Sequence, residues 1–160
     1  EDFNDLRDLL YATYRCDKGD GYTVFYLNAR ADLSIPADGR IAFGTLDSRR
    51  YLRGRWGLDQ ADAIGGAYAP MGPSLSVGIE FASETPPKQI VVTLGARSGG
   101  TVVGKVNGQP AGIVQAPGPE VMFELMLDNP SAERRISRYH VTLEFSEREA
   151  LRLYELRAVW

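Results

Sequence analysis

The chain has 160 residues, of which 44% are hydrophobic and 24% are charged, and these ordinary globular values argue against extensive disorder. Its length suits one domain, residues 1–160, whose core buries about two-thirds of the surface of the unfolded chain. The formal net charge of −3 excludes the basic field that favours nucleic acid, and no segment approaches the ~20 apolar residues of a membrane span.

The single cysteine, Cys16, excludes an intrachain disulfide, and with only one histidine, His140, the chain cannot build a Cys/His metal cluster. Because His140 is remote in sequence, we interpret Cys16 as a small buried residue and not as a nucleophile. The chain begins at Glu1 without a basic or apolar leader, which fits a processed exported protein and equally a segment of a longer protein. We expect an extracytoplasmic location, periplasmic or secreted.

The first fifteen residues differ in pattern from the rest. Phe3, Leu6, Leu10 and Tyr14, with Leu9 alongside, recur at three- and four-residue spacing, and acidic residues occupy the other face. This pattern predicts a short amphipathic helix that covers one open face or end of a sheet. A helix that binds a protein partner is the alternative interpretation.

From about residue 22 to residue 144, runs of β-branched and aromatic residues alternate with Gly/Pro turns, which is typical of short strands. Two runs show clean alternation. The first places Leu75, Val77, Ile79 and Phe81 on one face, and the second places Tyr139, Val141, Leu143 and Phe145 on one face. The predicted strands cover residues 22–27, 31–35, 40–43, 74–81, 89–94, 101–106, 109–114, 121–127 and 136–145.

The strongest local prediction is a hairpin at Asn107-Gly108. Asn-Gly between two β-prone runs favours a type I′ turn, which needs positive φ at both central residues. The last segment, residues 146–160, fits either a helix opened by the capping-box pattern of residues 146–149 or a final strand that pairs with the first. We favour the strand, since residues 146–149 also suit a hairpin loop.

Ten or so strands at this spacing, with at most one helical crossover, exclude a doubly wound α/β fold. We therefore predict a mainly β protein, an antiparallel β-sandwich of the jelly-roll kind with a short N-terminal helix. A closed β-barrel is the alternative.

Residues 49–56, RRYLRGRW, place four arginines and two large aromatic residues within eight positions of an acidic chain. Guanidinium groups bind carboxylates or phosphates, and aromatic faces stack on sugar rings, so Tyr51, Arg53, Arg55 and Trp56 are candidate ligand-binding residues. In the second interpretation the arginines point outward from an edge strand while Tyr51 or Trp56 enters the core.

Residues 64–73 form a Gly/Pro-rich stretch that predicts an irregular loop, and loops often hold binding residues. If Tyr68 were exposed there, its ring would be available for stacking, and we include it among the candidate ligand-binding residues. A long connection without a binding role is the equal alternative.

Catalytic and metal signatures are weak. Seven aspartates lie in or near turns and leave a structural Ca²⁺ between two loops open, although no EF-hand spacing occurs and we expect no other cofactor. These aspartates are Asp17, Asp20, Asp32, Asp38, Asp47, Asp59 and Asp62. A glycoside hydrolase would need two facing acids, for which Glu80, Glu124 and Glu144 are the candidates on strands. No nucleophile elbow or triad pattern is present.

Several short pieces resemble the galactose-binding-like β-sandwiches that accompany enzymes acting on polysaccharides. They are the Gly54-Arg55-Trp56 motif with the Ala/Gly-rich loop after it, the strand at 74–81, the turn at 106–108 and the segment 123–130. The resemblance implies a jelly-roll fold and non-catalytic sugar binding through loops and aromatic rings, with Tyr51, Trp56 and Tyr68 as stacking residues.

The first third also resembles membrane-bound lysozyme inhibitors of the C type, on residues 14–16, 21–28 and 31–33. Residues 48–51, SRRY, stand where that family has Ser-Gly-x-x-Tyr. This second resemblance implies a periplasmic inhibitor that binds a protein.

The leading hypothesis is a non-catalytic carbohydrate-binding domain, accessory to a cell-envelope or polysaccharide system, with a carbohydrate or other small polar ligand as partner. The alternative is a structural or protein-interaction module, either an assembly subunit or a periplasmic inhibitor, that uses the N-terminal helix or an edge strand. A glycoside-active hydrolase is the third hypothesis.

Overall fold

A computed structural model of the protein describes residues 2–133, 136–147 and 151–160. One α-helix, α1, comprises Asp2–Thr13, and a 3₁₀ turn comprises Asp47–Tyr51. The strands, in chain order, are β1 Tyr14–Gly19, β2 Tyr22–Arg30, β3 Arg40–Ala42, β4 Leu52–Arg53, β5 Gln60–Asp62, β6 Gly66–Pro70, β7 Ser76–Ala82, β8 Gln89–Ala96, β9 Gly100–Val106, β10 Gln109–Ala116, β11 Met122–Asp128, β12 Arg138–Phe145 and β13 Leu151–Val159.

The strands form two antiparallel sheets and a separate two-stranded ribbon. The first sheet has the order β10-β9-β12-β7-β4, and the second has the order β11-β8-β13-β6-β5, with β3 also paired to β13. The ribbon consists of β1 and β2. The two sheets remain open and separate, which confirms the predicted sandwich, and the closed barrel is wrong.

Period-two alternation explains which faces meet. In β12, Tyr139, Val141, Leu143 and Phe145 are buried while the residues between them are partly or fully exposed. The core therefore lies between the inner faces of the two sheets. The ring of Tyr139 stacks on that of Phe81 from the neighbouring strand, with centroids 5.3 Å apart. Other buried members of this core include Phe43, Ile79, Ile90, Leu94, Leu125, Leu127, Leu153 and Leu156.

The β9–β10 hairpin confirms the strongest local prediction. Asn107 and Gly108 both have positive φ, at 50° and 81°, and residues 106 and 109 pair across the turn. The Asn107 side chain also accepts a hydrogen bond from the backbone N–H of His140 at 2.8 Å, which ties this turn to β12.

The final segment forms a strand, but not the one predicted. β13 does not pair with the first strand and lies inside the second sheet, between β8 on one side and β3 and β6 on the other. It can fill that place because its leucines face the core, with Leu151, Leu153 and Leu156 fully buried, although a register shift between Leu153 and Glu155 interrupts the alternation. The predicted capping box at 146–149 reaches into residues outside the described part of the chain.

The predicted N-terminal helix is present, but the prediction described its packing only in part. α1 packs on the 3₁₀ turn and the ribbon mainly through Tyr11, which is 4% exposed and meets Phe25 edge-on at 4.9 Å. Leu6 and Leu9, both on the predicted apolar face, are exposed. The helix ends at Thr13, where β1 begins earlier than expected. None of the described helices has the length and apolar character that crossing a membrane requires.

Residues 31–35 were predicted to form a strand, and instead they make a single parallel bridge from Ser34 to Ala82. The backbone N–H of Ile35 donates to the Ala82 carbonyl at 2.8 Å, and the Leu33 carbonyl accepts from the Ala82 N–H at 2.7 Å. This short stretch extends the edge of the first sheet beyond β4, next to the end of β7. Two loops meet there, and a groove opens between them on the described surface.

Candidate functional site

The structure places Tyr51 and Trp56 in the core. Their side chains are 2% and 4% exposed, and both belong to the cluster between the sheets. The Tyr51 hydroxyl donates to the Ser34 carbonyl at 2.8 Å, and the Trp56 indole N–H reaches the carbonyls of Arg53 and Gly78. These contacts support the second interpretation of this segment, in which the aromatic rings are structural.

The two candidate arginines lie on the outside of the first sheet. The Arg53 Nε donates to Glu80 Oε2 at 2.8 Å, and its Nη1 donates to the carbonyls of Arg50 and Leu52. Arg55 is exposed. Because Arg53 has its donors occupied and the two rings are covered, residues 49–56 do not form an exposed stacking platform.

Tyr68 lies on the other sheet, 4% exposed in β6, away from Tyr51 and Trp56. Its hydroxyl donates to Gln60 Oε1 at 2.7 Å, and its ring packs against Tyr154 with centroids 5.5 Å apart. The three rings are therefore buried and do not stand together at a surface. A ligand-binding role for any of these residues stays a prediction.

A polar cluster beside Tyr68 holds the β5–β6 turn onto β13. Asp62 Oδ2 accepts hydrogen bonds from Arg152 Nη1 and from the Tyr154 hydroxyl, both at 2.6 Å. Asp62 Oδ1 accepts from the backbone N–H groups of Ile64 and Gly65, at 3.0 and 2.9 Å. These hydrogen bonds connect the β5–β6 turn to β13, two elements that are distant in sequence.

The hydrogen bonds to Asp62 set its protonation. Burial by itself would raise the pKa of Asp62, but the Gly65 N–H, the Tyr154 hydroxyl, the Ile64 N–H and the Arg152 guanidinium together lower it to about 2. Burial first, and then the bond to Asp62, raises the pKa of Tyr154 to about 12. At neutral pH Asp62 is therefore charged and Tyr154 is neutral, and these are the charge states that their hydrogen bond requires.

We expect Asp62→Asn to lower the free energy of unfolding at pH 7 by roughly 1–2 kcal/mol. The folded-state pKa of about 2 lies below the ordinary 3.8, so the carboxylate stabilises the fold above about pH 4 and loses this effect as the pH falls toward 2. Urea unfolding at neutral and acidic pH measures the difference in the free energy of unfolding between Asp62→Asn and the unmodified chain. This difference should become smaller as the pH falls. Asp20→Asn, at an exposed turn, controls for the loss of one negative charge. A stability difference for Asp62→Asn that stays constant with pH would contradict the role assigned to the Asp62 carboxylate.

Glu80 and Glu144 do not stand close enough to act as a facing acid pair, and the described residues gather no cluster of metal ligands. Glu80 lies opposite His140 and Glu144 lies opposite Ser76, so the two glutamates stand four residues apart along the sheet, about 13 Å. Glycosidase carboxylates lie about 5–10 Å apart. Both glutamates are also ion-paired. No three His, Cys, Asp or Glu side chains of the described residues gather as metal ligands, and a structural Ca²⁺ stays an untested prediction.

Cys16 is partly exposed in β1 and forms no disulfide. Burial is the largest influence on its thiol and raises the pKa above its ordinary value, which opposes thiolate formation. The ring of His140 lies over Gly78 on the outer face of the first sheet, whereas Cys16 belongs to the separate ribbon. Neither residue adds chemistry to a site.

A groove lies at the edge of the first sheet, beside the end of β7. It has a volume of about 680 Å³ and lies between residues 34–37 and residues 82–85, with Ser137 and Trp160 completing it. Ligand sites of drug or sugar size commonly measure about 300–1,000 Å³. Its size and open form suit a chain of a few sugar units.

Trp160 is the aromatic residue of this groove, and it is 43% exposed. The indole N–H donates to the Thr85 carbonyl at 2.9 Å, which fixes the ring against the β7–β8 loop. On the other side the ring approaches Gly39 so closely that a Cβ there would lie 2.7 Å from it. The ring is therefore held in place while part of it stays open to solvent, as a stacking surface requires.

Polar groups surround this ring. Ser34 and Ser137 expose hydroxyl groups that can donate and accept hydrogen bonds, and Glu84 exposes a carboxylate. The Tyr51 hydroxyl supports the groove from within, through its bond to the Ser34 carbonyl. An apolar ring beside a few convergent polar groups is the usual composition of a small-molecule site.

Sequence reasoning missed Trp160 because the closing residues of the chain were considered only as strand or helix. No local signal indicated this exposure. The spacing that buries Leu156 and Ala158 in β13 would continue to residue 160 on the same face, but the strand ends at Val159. The turn at residues 36–39 was predicted, but its meeting with Trp160 in space depends on contacts between distant parts of the chain.

No protein-family model matches the sequence, and no curated protein sequence matches it. Among solved structures, the chain is similar to a family 6 carbohydrate-binding module, with 7% identity and a TM-score of 0.51 over 81% of this chain and 98% of that one. It is also similar to a glycoside hydrolase family 43 arabinoxylan arabinofuranohydrolase from Bacillus subtilis, solved with cellotetraose, with 12% identity and a TM-score of 0.54.

The second match covers 91% of this chain but only 33% of the arabinofuranohydrolase, so the chain spans about a third of that enzyme's length. At these identities the likeness concerns the fold alone. It confirms the predicted resemblance to jelly-roll carbohydrate-binding β-sandwiches at the level of architecture.

Proposed function

We propose that this protein is a non-catalytic carbohydrate-binding domain that holds its ligand in the groove at Trp160. The observation that supports this most directly is the fixed, 43% exposed tryptophan at the mouth of a groove of about 680 Å³. A sugar ring presents an apolar C–H face and a rim of hydroxyls, which match an aromatic face beside serine and carboxylate groups. The jelly-roll fold shared with a carbohydrate-binding module agrees with this function.

The proposal also includes the kind of system in which this domain acts. One structural neighbour is a longer glycoside hydrolase of which the matching part is a third. We propose that this domain likewise serves as an accessory to a polysaccharide or cell-envelope system outside the cytoplasm, where such polymers occur.

Trp160→Ala is expected to weaken glycan binding by about 30-fold or more, because truncation of a central aromatic contact commonly costs at least about 2 kcal/mol. Glycan-array screening of the unmodified chain identifies a ligand, and calorimetry then measures its affinity for each variant. Trp160→Phe should retain part of the affinity, since it keeps an aromatic face and loses the bond to Thr85.

Tyr22→Ala is the matched control, since it removes an exposed aromatic ring from the β1–β2 ribbon and should leave affinity unchanged. Equal binding by Trp160→Ala and the unmodified chain would remove the groove as the site. Absence of binding to every glycan on the array would overturn the proposed function itself.

A protein-interaction module is the second candidate, and one observation favours it. Leu6 and Leu9 on α1 are 52% and 59% exposed, whereas Tyr11 of the same helix is buried against Phe25 of the ribbon. Such an exposed pair on one helix resembles the apolar anchors of helix-mediated binding. The predicted assembly subunit or periplasmic inhibitor belongs to this candidate.

A further inference from the structure

The charge of the groove comes from one residue. Of the side chains that line it, only Glu84 has an acidic or basic group, and it is exposed on the β7–β8 loop. The residues around it are serines, a threonine and apolar side chains. No side-chain hydrogen bond or ion pair joins the Glu84 carboxylate to another of the described residues.

No lysine or arginine balances this carboxylate among the residues that line the groove. Arg138 follows the lining residue Ser137, but its Nε lies 3.3 Å from Glu80 Oε1 on the outer face of the first sheet. Among the described residues, the groove therefore presents hydroxyls, an indole face and one carboxylate, with no cationic side chain in its lining.

We infer that the groove selects its glycans by charge, and that it binds neutral or amine-bearing sugars in preference to uronic acids. The inference rests on the proposed function and specifies the class of ligand. A sugar carboxylate placed in the groove would meet the Glu84 charge without a cation to offset it. A sugar ammonium group would instead be attracted by both the carboxylate and the indole face.

The expected difference in affinity between neutral and acidic sugars is modest because Glu84 is exposed. Like charges a few ångströms apart near the surface repel modestly, which corresponds to about three- to tenfold in affinity at low salt. The Debye length falls from about 30 Å at 0.01 M salt to about 3 Å at 1 M, so the preference should shrink as salt rises.

The test uses uronic acid polysaccharides and their carboxyl-reduced forms as pairs, because each pair shares its linkages and differs only in charge. Affinity of the full chain for both members is measured at low and high salt, and the ratio of the two affinities is the readout. We expect the reduced polymer to bind about three- to tenfold more tightly at low salt. Glu84→Gln should bring this ratio close to one and abolish its salt dependence, and Glu84→Lys should invert it.

Glu147→Gln is the control, since it removes one exposed carboxylate just beyond β12, at the opposite end of that strand from Ser137. It should leave the ratio unchanged. Binding that depends on Trp160 but favours the uronic acid polymer, or a ratio that Glu84→Gln does not alter, overturns the inference while the proposed function stands. Absence of binding, or binding indifferent to Trp160→Ala, overturns the proposed function and the inference with it.

Discussion

Replacing Arg49 with methionine is expected to lower the free energy of unfolding by about 3–5 kcal/mol. Arg49 is 0% exposed, although it lies in the arginine-rich segment that suggested a surface platform. Its Nη2 donates to the Gly57 carbonyl, and its Nε lies 3.3 Å from Asp59 Oδ2. The side chain thus joins the 3₁₀ turn to the residues that precede β5.

The expected loss is large because methionine would leave the Asp59 carboxylate without its cation. The Asp59 side chain is only 18% exposed, and burial raises the pKa of its carboxyl even with Arg49 present to oppose that shift. Removing one member of a buried pair costs far more than removing both. The double variant Arg49→Met/Asp59→Asn should therefore recover part of the stability lost by Arg49→Met.

Urea unfolding at neutral pH measures these differences. Arg97→Met, at an exposed loop position, makes the same chemical change and should alter stability by less than about 0.5 kcal/mol. The loss in Arg49→Met should also be smaller at acidic pH, because a protonated Asp59 no longer needs a cation. A loss below about 1 kcal/mol, or a double variant less stable than the single one, would contradict the assigned role.

Gly44→Ala is expected to lower the free energy of unfolding by about 2–5 kcal/mol. Gly44 has φ of +83°, which an alanine adopts only with strain, and a Cβ there would collide with the backbone nitrogen of Tyr68. That neighbour is main chain of β6 and cannot move aside as a flexible side chain would. The glycine thus permits the close approach of the β3 connection to the second sheet.

Two other glycines separate the causes. Gly66 has φ of +79° with nothing within 4 Å of the place that an added Cβ would occupy, so Gly66→Ala isolates the conformational cost of about 1–2 kcal/mol. Gly99 has open space and no positive φ, and Gly99→Ala should be neutral or stabilising by up to about 1 kcal/mol. Thermal and urea unfolding of the three variants test this order, and equal effects at Gly44 and Gly66 would rule out the backbone contact.

The strands were predictable because their signals are local. Alternation in β7 and β12 follows from the two-residue period of a strand, and the Asn107-Gly108 turn follows from the φ values that these residues tolerate. The positions of Leu33 and Tyr14 were not predictable in this way. Leu33 makes sheet-edge contacts without belonging to a strand, and Tyr14 begins a ribbon that packs against α1.

Which aromatic rings are exposed could not be predicted from local sequence patterns. Tyr51, Trp56 and Tyr68 stand in irregular, polar or Gly-rich sequence that suggested exposure, yet each ring is covered by residues far away in the chain. Trp160 directly follows a strand and was predicted to belong to it. It is exposed because the turn at Gly39 and the β7–β8 loop leave one side of its ring open.

Residue type and short-range spacing were enough to predict the mainly β character, the Asn107-Gly108 hairpin and the inward faces of β7 and β12, because each of these depends on neighbours in the chain. Long-range packing alone placed β13 inside the second sheet, buried Arg49 and set Trp160, not Trp56, beside the groove. Exposure depends on what packs against a residue, and the Thr85 carbonyl that fixes Trp160 lies 75 positions away in the chain.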